Sequence, residues 1–261
     1  MSRALRAVDA GLLDTAAALA HDEAVGRAAE KPATLLLWRT APAVVIGRFQ
    51  RADWEVDAAA CAKRGVGVWR RFTGGGAVHL DTGTLCIALT APPQHPWSQL
   101  GVPEMYGPLL DGIVRGCRLR GVDATRDQRT VRVDGRKVTG IAAHRGRGGM
   151  LVHGTLLIDA DLDSLRACLA GPRDGELGGA PKPASSRPDH VANVGGVGWE
   201  AAMVEAFAAE PGALDEREAV EAERLRVHKY LDPAWHAGPW WELTPPAVRA
   251  LLSARTAEHL R

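Results

Sequence analysis

Trp69-Arg70-Arg71-Phe72-Thr73-Gly74-Gly75-Gly76-Ala77-Val78 is the stretch on which the reading of this chain turns. Three adjacent glycines cost backbone entropy, so a folded chain keeps them where φ must be positive or where a ligand approaches the main chain closely. Such a turn aims successive N–H groups at one point and forms an anion-binding concavity. Arg70 and Arg71, immediately upstream, add donors suited to phosphate or carboxylate. By itself the triplet fits a tight turn with solvated arginines equally well; the arginine pair moves the reading toward an anion site.

Outward from this loop, Val66 to Phe72 reads as a strand running into the glycines, and Thr84 to Thr90 as the apolar strand that follows them, closed by Pro92-Pro93. On the amino-terminal side, Val8 to Ala29 spaces Leu12, Leu13, Ala16, Leu19 and Val25 like one amphipathic helix. Thr34 to Arg39 and Ala43 to Gly47, separated by Ala41-Pro42, read as neighbouring strands, and Asp57 to Arg64 as a short helix ended by Gly65. Beyond the loop, Glu104 to Leu119 is a helix candidate. Thr130 to Val133 and Lys137 to Ala143 flank Asp134-Gly135, the favoured hairpin turn. Leu151 to Ile158 extends the sheet and Asp161 to Ala170 follows as a helix, with Arg145 to Gly149 a hairpin tip. Gly171 to Gly198 is a long Gly/Pro/Ser-rich loop or a boundary, Leu214 to Tyr230 is helical, and a last helix spans Pro246 to Leu260. Strands and helices without regular βαβ alternation predict an α+β fold, a mixed β-sheet flanked by helices.

Composition narrows the function classes. The 261 residues carry 32 basic and 31 acidic side chains, so phosphate chemistry must be local and no nucleic-acid footprint is expected. The hydrophobic share of 46% supplies an ample core. Cys61, Cys86, Cys117 and Cys168 are widely spaced without CxxC, which predicts reduced thiols and neither a zinc ribbon nor a disulfide framework. No apolar run reaches the length of a membrane span and Met1 to Ala10 lacks a signal-peptide layout, so the expectation is a cytoplasmic protein with no membrane partner.

A second informative stretch is Asp134-Gly135-Arg136-Lys137-Val138-Thr139-Gly140, followed by His153-Gly154-Thr155-Leu156-Leu157. A lysine just past a turn can put a compact ammonium into a cleft, where it neutralises charge as a carboxylate attacks a phosphate. Taken singly, Lys137 fits a solvated turn residue and His153 a satisfied sheet histidine more readily than either fits chemistry.

The three motifs in this order, Arg70 to Val78, Lys137 to Gly140 and His153 to Leu157, resemble lipoate-protein ligase and the lipoyl/octanoyl transferases built on the biotin/lipoate ligase fold. The resemblance covers roughly Leu35 to Val194. It implies a catalytic domain over residues 1–194, with its core in that range, and a small helical carboxyl-terminal segment over 195–261. It also implies a reaction in which lipoate and ATP, with Mg²⁺, form lipoyl-AMP before the acyl group passes to a lysine of a lipoyl domain. By motif position Arg71 contacts the phosphate, Gly76, Ala77, Val78 and His79 line the nucleotide, and Lys137 is the catalytic cation. Arg70, Thr73, Gly74, Gly75, Asp81, Thr139, Gly140, His153, Gly154 and Thr155 complete the expected binding set. The implied acceptors are lipoyl domains of 2-oxoacid dehydrogenases or the glycine-cleavage H protein, and a separate accessory-domain subunit is a further implied partner.

Two departures mark this chain. The family's histidine after Gly-Gly-Gly-Ala-Val-x falls on Leu80, with His79 one position early, and its Asn-Asp pair falls on Arg129-Thr130, leaving metal ligands unassigned. The main alternative is an octanoyltransferase working through a cysteine thioester, for which only Cys168 stands loosely in place; an inert buried cysteine is the simpler reading. A lipoyl-binding relative without activation chemistry is the third class. Trp38, Trp54 and Trp69 are candidates to line an acyl slot, although tryptophans beside strands commonly belong to the core.

Overall fold

The computed structural model describes residues 4–28, 32–101, 104–169, 186 and 189–238. In chain order its strands and helices are β1 (Arg6–Leu13), α1 (Thr15–Arg27), β2 (Thr34–Thr40), β3 (Ala43–Ile46), α2 (Ala52–Glu55), α3 (Ala58–Arg64), β4 (Gly67–Arg70), β5 (Val78–Leu80) and β6 (Thr84–Ala91). There follow α4 (Gly107–Leu119), β7 (Thr125–Arg126), β8 (Val131–Val133), β9 (Arg136–Lys137), β10 (Ile141–Gly146), β11 (Gly149–Leu157), α5 (Leu162–Cys168), α6 (Trp199–Ala206), β12 (Glu210–Pro211), α7 (Glu216–Leu225) and α8 (Pro233–Ala237). They form a six-stranded mixed sheet in the order β10-β11-β6-β2-β1-β12, a small sheet β4-β3-β5 and a third, β7-β8-β9. This is the expected mixed sheet flanked by helices.

The large sheet is apolar on both faces, as its strands' near-continuous hydrophobic runs require. Leu35 and Leu37 of β2 face one core with Leu85, Ile87 and Leu89 of β6, covered by Leu109 and Ile113 of α4 and by Trp199 and Met203 of α6. The alternate residues Leu36 and Trp38 face a second core with Ala16 and Leu19 of α1 and Tyr230. Burial of each such leucine contributes about 1.5–3 kcal/mol, which fixes the register of these central strands.

Several expectations are corrected. Val8 to Ala29 is not one helix: β1 pairs in parallel with β2, and α1 starts only at Thr15. Asp14 is the reason, since its carboxylate accepts the Ala17 N–H at 2.9 Å and caps α1 there. β2 and β3 are adjacent in sequence but belong to different sheets, because β2 is already flanked by β1 and β6. Lys137 to Ala143 is not one strand either. β9 closes the Asp134-Gly135 hairpin, with φ of 49° and 73° at the turn, whereas β10 crosses to the large sheet and pairs with β11. The chain therefore bends at Val138 to Gly140, beside the candidate lysine. The expected helix over Leu214 to Tyr230 is α7 continued by a π-helical turn at Arg226–Tyr230. The helix expected over Pro246 to Leu260 and most of the Gly171 to Gly198 loop lie outside the described residues. No helix among the described residues is long and apolar enough to cross a membrane.

Candidate active site

The glycine loop joins β4 to β5 and is wedged against the loop after β3. Gly75 has φ +88°, a conformation that favours glycine. A Cβ on Gly47 would stand 2.1 Å from the Gly75 carbonyl oxygen, so these two backbones can touch only without side chains. The Arg48 N–H donates to the Thr73 carbonyl at 2.8 Å, which ties the two loops together, and the Gly47 N–H donates to Gln50 Oε1 at 2.8 Å within its own loop.

The adjacent arginines diverge. Arg71 turns into an apolar slot between the two sheets, lined among others by Leu19, Trp38, Val78, Cys86 and Ile141. Its guanidinium donates to the Thr73 hydroxyl and to the carbonyls of Val45, Gly74 and Gly76. Burial lowers its pKa to about 10, which leaves it charged at neutral pH. A buried relay backs this residue: Asp22 Oδ2 stands 2.6 Å from His153 Nδ1, His153 Nε2 is 2.8 Å from the Thr73 hydroxyl, and Asp22 Oδ1 accepts the Trp38 indole N–H at 2.9 Å. The tautomer that satisfies every partner has His153 Nδ1–H donating to Asp22 and Nε2 accepting from Thr73. Arg70 instead lines neither this slot nor its neighbour. It lies buried, donating to backbone carbonyls of Gly47, Arg48, Gln50, His236 and Ala237.

A larger cleft adjoins the slot at Val78, Gly140 and Thr155, which line both. Ala77, His79, Lys137, Thr139, Leu165, Leu169, Ser186 and Asp189 are among the other residues that line it. Lys137 is held by its backbone, with its N–H on the His190 carbonyl at 2.8 Å and its carbonyl accepting from Ala192 at 3.0 Å. Among the described residues its ammonium has no hydrogen-bond or ion-pair partner. Burial lowers its pKa below the ordinary lysine value, opposed by the nearby Asp189 carboxylate. Asp189 itself is paired with Arg132 at 2.8 Å. An ammonium that is partly desolvated and unpaired is poised to meet an anion.

The remaining expected residues divide by role. Gly140 donates its N–H to the Thr155 hydroxyl at 2.9 Å, and a Cβ on Gly154 would come within 2.7 Å of the Gly140 carbonyl; these three build the junction of slot and cleft. Thr139 lines the cleft, and its buried hydroxyl accepts the Val131 N–H at 2.9 Å. Asp81 faces neither cavity: it accepts from the Gly83 N–H and the Thr84 hydroxyl at 3.0 Å each and from the Asp161 N–H at 2.7 Å. His79 is buried, with neither ring nitrogen hydrogen-bonded among the described residues, and burial lowers its pKa against the opposing pull of Asp81. The Ala77 amide is not free; Ser186 Oγ accepts it at 2.7 Å and itself donates to the buried Glu55 carboxylate at 2.5 Å. The sequence reading missed Asp22, Gln50, Glu55 and Ser186. Only Asp22 carried a signal, as an acid on the apolar stripe of α1.

All four cysteines are buried and burial raises every thiol pKa, that of Cys117 to about 11. Cys86 lines the slot; Cys168 packs beside Cys61 in a third apolar cluster. No group of three or more metal-ligating His, Cys, Asp or Glu side chains converges among the described residues.

Comparison with known proteins places this arrangement. The family model for the lipoyl protein ligase A/B catalytic domain matches residues 14–210. Octanoyltransferase LipM of Kyrpidia tusciae is 32% identical over 267 residues, covering 86% of this chain and 92% of that protein. Two solved structures are each 26% identical. One is from a bi-partite lipoate protein ligase and its E2 lipoyl domain from Thermoplasma acidophilum, with TM-score 0.75 over 91% of this chain and 97% of the other. The second is a lipoate-protein ligase A bound with ATP, with TM-score 0.74 over 91% and 99%.

Proposed function

Because the chain belongs to the lipoyl protein ligase A/B catalytic family, we propose that it is a lipoate-protein ligase that forms lipoyl-AMP and passes the lipoyl group to a protein lysine. The observation that carries this reading is the junction: an apolar slot adjoins a second cleft lined by a lysine whose ammonium has no partner among the described residues. Lipoate would lie in the slot with its carboxylate at Gly140 and Thr155. One carboxylate oxygen attacks the α-phosphorus of ATP, the bond to the β-phosphate oxygen breaks and pyrophosphate leaves. Lys137 stabilises the charge that gathers on the α-phosphoryl oxygens, where one well-placed donor contributes about 3–4 kcal/mol. The acceptor lysine amine then attacks the acyl carbonyl, loses a proton and expels AMP. Mg²⁺ would enter with the nucleotide, held mainly by phosphate oxygens.

The buried cysteines support a ligase over a thioester route, because a nucleophilic thiol needs an accessible site that favours its thiolate. Likeness to an octanoyltransferase over most of both chains supports the second reading, acyl transfer from octanoyl-acyl carrier protein. In either case the acceptor would be a lipoyl domain of a 2-oxoacid dehydrogenase or the H protein, and the bi-partite relative supports a separate accessory subunit. Mass spectrometry of an apo lipoyl domain tests the choice. Modification with lipoate, ATP and Mg²⁺ supports the ligase, and modification from octanoyl-acyl carrier protein alone replaces it by the transferase. Neither modification nor adenylate, with candidate accessory subunits added, would leave a lipoyl-binding relative.

A further inference from the structure

Arg70 is a charged residue buried to 1% exposure with no carboxylate partner among the described residues, and its surroundings show what it holds instead. Helix α8 ends with carbonyls that have no partner in the helix. Arg70 Nε donates to the His236 carbonyl at 2.9 Å and NH2 to that of Ala237 at 3.1 Å. The other nitrogen, NH1, reaches across to Gly47, Arg48 and Gln50 at 3.0, 3.0 and 2.7 Å. One planar guanidinium thus grips the end of α8 and the loop after β3 simultaneously. The backbone repeats the link: the Arg70 N–H donates to His236 Nδ1 at 3.0 Å, and the Trp235 indole N–H donates to the Arg70 carbonyl at 2.8 Å. His236 must be neutral to accept, and burial lowers its pKa to about 4; its Nε2–H is then left to donate to the Tyr230 carbonyl at 2.8 Å.

The loop after β3 is the same one that touches the nucleotide side. Gly47 packs against Gly75, and Arg48 bonds Thr73. We propose that Arg70 is a positioning residue that couples the turn at residues 226–238 to the glycine loop, so that docking of α8 sets the shape of the loop and the nucleotide affinity of the cleft. The loop-shape half stands without the ligase reading; the affinity half rests on it. An arginine engaged in this way does not touch substrate.

Hydrogen exchange of the full-length protein, read by mass spectrometry, separates this role from a phosphate contact. In His236→Ala and in Arg70→Lys, amides of residues 44–50 and 72–78 should exchange at least tenfold faster, while the central strands β2, β6 and β11 stay protected. ATP affinity should fall by a similar factor, with lipoate binding little changed. Trp235→Phe removes one bond only and should give the same pattern in smaller measure, which keeps the test usable if a stronger variant unfolds. Loosening confined to residues 226–238 overturns the proposal. So does loss of turnover in Arg70→Lys at unchanged loop exchange. If wild-type protein binds no ATP, the ligase reading fails, while faster loop exchange in the variants would still uphold the coupling.

Discussion

The two walls of the cleft are built by opposite means. Around the glycine loop several groups that could meet an anion are engaged within the protein: Arg70 and Arg71 hold carbonyls, the Arg48 N–H holds Thr73, and Ser186 holds the Ala77 amide. On the lysine side, Lys137 has a fixed backbone and an ammonium with no partner among the described residues. The difference teaches that the first wall supplies shape and the second supplies free charge. Preorganised donors cost little reorganisation at the moment of reaction, and an unpaired cation in a partly desolvated site acts at greater strength than one in water.

Removing the free charge should have the largest effect. Lys137→Glu is expected to lower acyl transfer by about 10³-fold or more at nearly unchanged melting temperature. Wild-type turnover in that variant would falsify the assigned role. Damage to the shaped wall should cost rate and stability together. Gly47→Ala places a methyl 2.1 Å from the Gly75 oxygen, and should destabilise by about 1–3 kcal/mol with about a hundredfold loss of turnover; a denaturant melt and a rate assay on one sample check both.

The relay behind Arg71 lies between these extremes. Asp22→Ala orphans the Trp38 and His153 donors and should cost about 2–4 kcal/mol of stability. Its kinetic signature is a raised KM for the acyl substrate exceeding any fall in kcat, and a pure kcat effect would contradict the positioning role.

A smaller effect should appear in the pH profile. Lys137 acts when charged and burial lowers its pKa, so the rate should fall on the alkaline side below the ordinary lysine value of 10.5. Asp189 raises that pKa, so Asp189→Asn should move the alkaline limb to lower pH still; a shift to higher pH would count against the assignment. The smallest effect is expected at Cys168, buried beside Cys61 and lining neither cavity. Cys168→Ser should leave turnover within about twofold, and its abolition would revive a thioester mechanism.

Much of this site was legible in the sequence because its motifs are local. The glycine triplet, the Asp-Gly hairpin before Lys137 and the strand carrying His153 are short-range patterns, and the structure brings Arg71, Val78, Lys137, Gly140, His153 and Thr155 to adjoining cavities. The errors arose where local pattern is ambiguous. The residues of β1 satisfy a helical spacing as well as a strand, and only the vacant edge of β2 and the cap at Asp14 decide between them. Partners distant in sequence left no local trace, such as His236 for Arg70 or Asp22 for His153.

The sequence by itself therefore determined the glycine loop, the lysine hairpin and the α+β class, since turn chemistry and hydrophobic period are properties of neighbouring residues, and its three ordered motifs carried the resemblance to the family. Tertiary structure alone decided that Arg70 is a clamp while Arg71 enters the slot, that Asp81 serves a turn, and that the cysteines are buried, with Cys86 at the slot. Adjacent residues on a strand point to opposite sides, and which side meets a ligand depends on what the rest of the chain packs against each face.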